Sequence, residues 1–440
     1  MHIKIEKTEK DLSAHAGLII FKQLLEKQRF EENWRGLVPS QKSGDERNIR
    51  KLKQLILGFQ AGAECLDDLD RLSQDSAFKS MCDGRAYCAK SLGDLLRGFN
   101  DYRCKQLNKN LVGNGYQLRQ QLFGNARSIT IDIDSTKIQQ YGKKMEGVAR
   151  HYTGVLGYET VQAFDEYGFQ YWNEVRPGNT HTSKGSVEIV HAVFSRMPET
   201  KQAKKMRRYV RADGGYCKTD FFNACAAKGA GFVVCMRGLM LSPLVGRIQH
   251  WHRQNPKKKN RIKFVGGREC EIGSTVYRPK RSEHVLRVVI VRSVKKGREG
   301  LLIKREEDYD YVGWVTNIGE HEMSDEKLIK FYRKRGHNAE NMIRELKNGL
   351  DLRHYPCLSM VANKAFALMG SFAYNLMRFV ALKDNPNKPQ FAKAIRFRFV
   401  HLPCQVVKHA RQVSFRLMGD QFEEVKRWIN YIKTLQFAVW

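Results

Sequence analysis

Ser128–Thr136, SITIDIDST, is the stretch on which the fold turns. Ile129, Ile131 and Ile133 alternate with Thr130, Asp132 and Asp134, and that two-residue period with β-branched side chains predicts a strand. Side chains two apart on a strand leave the same face, so Asp132 and Asp134 are expected to be neighbours. Two acids within an apolar strand are costly unless each is paired or bound to a cation. The bland alternative is that Asp134-Ser-Thr only ends the strand, with Asp132 at the surface.

Downstream, Thr160–Phe164, the turn DEYG at 165–168 and Phe169–Val175 form a hairpin by turn chemistry. Ser183–Phe194 reads as a helix and Tyr209–Ala212 as a short strand that runs into Asp213-Gly214-Gly215. A helix over Thr219–Ala227 and a buried strand over Gly231–Met236 follow. Strand, hairpin, helix, strand, helix, strand is the order of a ribonuclease H-like α/β core. Asp213 ends its strand, where acids of open α/β sheets often serve sites, although an Asp before Gly-Gly is also an ordinary turn former.

Further on, Tyr332–Leu350, YRKRGHNAENMIRELKNGL, reads as a helix with a charged approach. Ile343, Leu346 and Leu350 make one apolar stripe, and Glu340, Arg344 and Lys347 share another face. Asn338 is the expected N-cap and Gly349 lies near the stop. One carboxylate among bases, beside a tyrosine, suits a place where metal meets phosphate. A solvated amphipathic helix would show the same periodicity.

The chain has 440 residues, with 77 Lys+Arg against 46 Asp+Glu and a net charge of +31. Such an excess points to a polyanion, nucleic acid before an anionic membrane. No apolar run is read as reaching the roughly 20 residues of a membrane span, and the N-terminus lacks a signal-peptide pattern. The ten cysteines are scattered without a C-x-x-C pair, which predicts reduced thiols in an intracellular protein and no zinc site.

Five regions are expected: a helical DNA-binding region over 1–125, the core over 126–236, a basic β-rich insertion over 237–322, the rest of the core over 323–384 and a helical C-terminal region over 385–440. Gly17–Phe30, Leu52–Leu66 and Ser91–Phe99 read as helices, the last part of a helix-turn-helix type unit. Asp67, Asp68 and Asp70 read as a solvated face or a contact to a basic neighbour. The Asn/Gly/Gln-rich segment Asn108–Gly124 reads as a connector. In the insertion, Arg261–Val265, Ser274–Tyr277, His284–Val294, Gly300–Lys304 and Asp310–Thr316 read as strands. Lys257–Lys259 and Arg278–Arg281 are its basic clusters, expected to face nucleic acid. Trp314 is either core or a base-stacking residue, and core is commoner for Trp on a strand. Asn363–Leu382 and Phe422–Leu435 complete the helices, with Arg396, Arg398, Arg411 and Arg416 as the basic tail.

Asp134 in DIDST, Asp213 in VRADGGY and Glu340 in YRKRGHNAENMIRELK resemble the acidic triad of a DDE transposase. More narrowly, the chain resembles bacterial insertion-sequence transposases of family thirteen-eighty, which carry a β-stranded insertion between the second Asp and the Glu. HAGLIIF, AGAECLDDLDRLSQD, YGKKMEG, RPGN at 176–179, WVTN at 314–317 and AYNLMRF at 373–379 match the same type in the same order. The resemblance implies a ribonuclease H-like catalytic core interrupted by that insertion. It implies two Mg²⁺ ions, with Mn²⁺ as a substitute, held by Asp134, Asp213 and Glu340, with Asp134 bridging. Tyr332, Arg335, Lys347 and Arg344 are the expected phosphate-binding residues, with Asp132 and Trp314 in support.

One departure stands out: four residues, Gly336–Ala339, separate Arg335 from Glu340 where the family has three. A one-residue bulge before the helix would absorb the extra residue. Glu345 is the rival carboxylate.

The implied activity is cut-and-paste transposition. The protein would bind terminal inverted repeats, cleave the ends and join them to target DNA, as a homodimer on double-stranded DNA in the bacterial cytoplasm, associated with the nucleoid. The alternatives are a ribonuclease H-like nuclease that does not join strands, a transposase-derived DNA-binding protein without catalysis, and a basic RNA-associated protein.

Overall fold

The computed structural model describes residues 3–39, 45–142, 144–151, 153–197, 200–236, 238–254, 261–280, 282, 284–410 and 412–438. The expected cluster Lys257–Lys259, together with Arg281 and Arg411, lies outside them.

The SITIDIDST stretch opens β1 (Ser128–Gln139), longer than read because Asp134-Ser-Thr continues the strand. The hairpin follows as β2 (Leu156–Asp165) and β3 (Gln170–Pro177), then β4 (Arg207–Ala212) and β5 (Ala230–Met236). Their order across the sheet is β3-β2-β1-β4-β5, with β1-β4 and β4-β5 parallel and the hairpin pairs antiparallel. That is the ribonuclease H-like arrangement expected from element order. Helix α1 (Asp101–Phe123) precedes the sheet, while α2 (Ser186–Ser195) and α3 (Thr219–Ala227) are the crossovers that parallel pairing demands.

The insertion contributes β6 (Glu271–Tyr277), β7 (Leu286–Val294) and β8 (Tyr309–Thr316). It is more closely joined to the core than expected: β8 pairs antiparallel with β5, so one sheet continues through β5-β8-β7-β6. Residues 261–264 and 300–304, read as strands, are irregular. The second of these puts Leu302 and Ile303 into solvent.

Asn108–Gly124 corrects the sequence reading most clearly. It is no connector but most of helix α1, packed on β3 and on α6 (Met360–Asp384). Asparagine has poor helix propensity and suggests a loop. Here the amides take the place of a missing strand. Asn108 donates to the Asn173 carbonyl at 3.0 Å and accepts from its N–H at 2.9 Å. Asn375 of α6 does the same for Gln170, at 2.8 and 2.7 Å. The outer edge of β3 is thereby satisfied without a neighbour.

Helix α6 is long and apolar enough by itself to cross a membrane, contrary to the reading that no such run exists. Here 94% of its apolar window is buried inside the protein. The helices of the N-terminal region, among them Leu18–Lys27, Asp45–Ala61 and Ala89–Arg97, share one continuous hydrophobic cluster with the sheet and α6. Of the three N-terminal acids, Asp68 accepts from the N–H groups of Glu64 and Cys65, and Asp70 accepts from Ala89 N–H. They hold helix starts together.

The C-terminal region is not wholly helical. A hairpin of Cys404–His409 with Gln412–Arg416 takes up Leu12–Ser13 as a third strand, ahead of the helix Gly419–Thr434. Arg396 is buried, donating to the carbonyls of Gly349 and Phe59, so it ties elements together.

Candidate active site

Strand register brings the two aspartates together. The last parallel rung of β1 and β4 pairs Ile133 with Ala212, so Asp134 and Asp213 occupy the next positions along the two neighbouring strands. Adjacent strands lie roughly 4.8 Å apart, which puts the two carboxylates side by side at the end of the pair. Asp213 also caps the short helical turn that follows, accepting from Gly215 N–H at 2.9 Å. The turn-former and the site residue are the same side chain. It opens on a cleft of ≈ 830 Å³ whose walls include Arg150, His151, Asn179, His181 and Thr182. A hollow of ≈ 900 Å³ at the other end of β4 and β5, lined by Arg207, Tyr209 and His284 among others, contains none of these acids.

Glu340 arrives on a helix that does not start at Asn338. Helix α4 (Asp325–Arg335) runs through a five-residue π turn, Gly336–Glu340, into α5 (Asn341–Gly349). The extra residue between Arg335 and Glu340 is absorbed within the helix, not before it. In a regular α-helix, residues four apart face the same way. Across a π turn the partners are five apart, so Arg335 and Glu340 regain a common side.

That side meets β1. Arg335 reaches Asp134 with Nη2 2.9 Å from Oδ1, and both side chains are largely buried. Burial pushes the Asp134 carboxyl up to about 6; Arg335 pulls it down, while the charges of Asp213 and Glu340 add to the rise. The three acids therefore share one electrostatic neighbourhood. Among the described residues, however, no three His, Cys, Asp or Glu side chains are grouped closely enough to hold a metal ion.

The remaining expected residues divide. Lys347 is pinned to β1, donating to Thr136 Oγ1 at 2.6 Å and the Lys137 carbonyl at 2.9 Å. Arg344 is exposed and bonds Asn341 of its own helix. Tyr332 packs its ring 5.6 Å from that of Trp314, with its hydroxyl held protonated chiefly by burial. Trp314 is 3% exposed in a second apolar cluster, so core is its role and base stacking is not open to it. Glu345 turns away from the site, accepting from Ala392 N–H beside Tyr374 and Phe391.

Asp132 is fully buried, against the surface alternative. Arg211 of β4 grips it with Nε at 2.6 Å and Nη2 at 2.7 Å, and donates its third nitrogen to the Phe331 carbonyl of α4. Sequence reasoning missed Arg211, whose pairing with Asp132 follows from the register of two strands distant in sequence. It also missed Glu159, buried on β2 and approached by Thr182 and His151.

A mixed sheet flanked by helices, with acids of two neighbouring strands and a later helix in one electrostatic neighbourhood, is consistent with a ribonuclease H-like core. The family model for the Transposase DDE domain group 1 matches residues 1–432. The chain belongs to this family of DDE transposases, and its function is transposase-like in that broad sense. No curated protein matches it.

The donors suit Mg²⁺ in kind. Asp134, Asp213 and Glu340 offer the hard carboxylate oxygens this ion prefers. Asp134 already keeps a cationic partner in this structure, with Arg335 Nη2 2.9 Å from its Oδ1.

Proposed function

We propose that this protein binds the terminal inverted repeats of an insertion sequence, cleaves the DNA ends and joins them to target DNA. The observation supporting the proposal is the register that sets Asp134 beside Asp213, with Glu340 near enough for its charge to act on Asp134. Asp134, Asp213 and Glu340 would hold the divalent ions. Mg²⁺ in such sites supplies Lewis acidity to the attacking and leaving oxygens of a phosphodiester.

The chain's own residues do the rest. The cleft beside Asp213 accepts the strand, with Arg150 and Asn179 in its wall. Exposed Arg344 on α5 meets backbone phosphate, as guanidinium forks do well. Lys347 holds α5 against β1 and thereby fixes Glu340 relative to Asp134. Both DNA ends must be brought together, so the working assembly is a homodimer on double-stranded DNA.

The test is cleavage of a duplex carrying the element's end, with Mg²⁺ or Mn²⁺. Asp134→Ala, Asp213→Ala and Glu340→Ala should each abolish cleavage while end binding persists. Robust cleavage by any of them removes that residue from the site. A transposition assay with marked ends separates joining from cleavage alone.

A further inference from the structure

Two arginines serve two acids on β1, and they do so differently. Arg211 is saturated: all three of its nitrogens are bonded, to Asp132 and to the Phe331 carbonyl. Arg335 is not. It touches Asp134 through Nη2, and its buried Nε finds no hydrogen-bond partner among the described residues. Arg335 is also the last residue of α4, beside Gly336, where the turn widens from four residues to five. A π turn is a local irregularity of the helix, and such turns are frequent at functional sites.

Arg335 covers one of the two carboxylate oxygens that Asp134 could offer a cation. Its nitrogen lies on Asp134 Oδ1, which also accepts from Ser135 N–H at 2.9 Å. A divalent ion cannot approach that oxygen while a guanidinium covers it, because their charges repel and their positions overlap.

Resting on the reading of Asp134 as a cation ligand, we infer that Arg335 is a resident counter-cation. It neutralises the buried carboxylate while no divalent ion is bound and leaves Oδ1 when one enters. The freed guanidinium then points a planar set of donors at a DNA phosphate. Cation uptake and phosphate contact are thereby linked through one side chain, and the protein alone holds cations weakly.

Mn²⁺ titration of the full chain without DNA, followed by the EPR signal of the free ion, tests this. Arg335→Gln should bind at least 10-fold more tightly than the parent, and adding Asp134→Asn should remove that site. Equal or weaker binding by Arg335→Gln makes Arg335 a brace only and leaves the cation reading of Asp134 standing. No Asp134-dependent binding in either protein overturns that reading and this inference with it. If Arg335→Gln does not fold, the parent protein gives a second measurement. The ¹⁵N-arginine Nε–H signal of Arg335, assigned through Arg335→Lys, should lose its protection from solvent exchange when Mg²⁺ saturates the site. Unchanged protection at saturation overturns the inference.

Discussion

Arg211 and Asp132 sit on the same rung of neighbouring parallel strands and form a two-pronged ion pair, Nε–Oδ1 at 2.6 Å and Nη2–Oδ2 at 2.7 Å. The pair is buried, and its third nitrogen reaches helix α4. It therefore ties together the three elements that carry Asp134, Asp213 and the approach to Glu340. Removing one partner strands the other charge, so Arg211→Met should cost about 3–5 kcal/mol. Replacing both, as Asp132→Leu with Arg211→Met, should recover much of that loss. Urea denaturation of the four proteins measures the coupling, and simple additivity would show that the two do not act as a pair.

The raised carboxyl of Asp134 sets a pH dependence of a definite sign. Its ordinary value is 3.8 and in the fold it rises to about 6. Between these values the folded protein holds a proton that the unfolded chain has released. Its contribution to stability is fullest below pH 3.8 and is lost as pH rises toward 6. Divalent-cation affinity runs the other way, because protons compete for the same oxygens. We expect Mn²⁺ affinity to fall as pH drops below about 6 and to level off above it. Titrations from pH 5 to 8 check this, and Asp134→Asn should abolish the pH-dependent binding.

The Asn375 amide closes the edge of β3 through two bonds to the Gln170 backbone. Asn375→Leu keeps the branched shape but leaves a buried N–H and C=O unpaired, at about 1–3 kcal/mol each. We expect a loss of roughly 2–6 kcal/mol by denaturant unfolding. A loss below 0.5 kcal/mol, about the scale of an ordinary surface substitution, would mean that other groups satisfy the edge.

Glu340 and Glu345 are separated by one turn and a half, and their surroundings assign them different work. Glu340→Gln should lose cleavage by a factor of about 10² or more, the scale seen when a charge-stabilising group is removed. Glu345→Gln should keep cleavage within a few-fold, since its carboxylate serves Ala392 N–H away from β1. Cleavage rates for both variants on one substrate decide it; the opposite ranking would exchange their roles.

Much of this protein was legible in its sequence because the signals were local. Alternating isoleucines and aspartates gave β1, the DEYG turn gave the hairpin, and the order of elements gave the sheet. Asn108–Gly124 was misread because what makes it helical is the unpaired edge of β3, about 65 residues away in sequence. Likewise, no local pattern marks Arg211 as the partner of Asp132, since parallel register is set only when the crossover helix packs.

The sequence by itself determined which acids stand on strands and helix, and that one residue too many lies between Arg335 and Glu340. Only the tertiary structure decided where that residue goes. Held against β1, the helix absorbs it as a π turn, because Arg335 packed on Asp134 and the buried stripe of α5 together fix the facing of both ends.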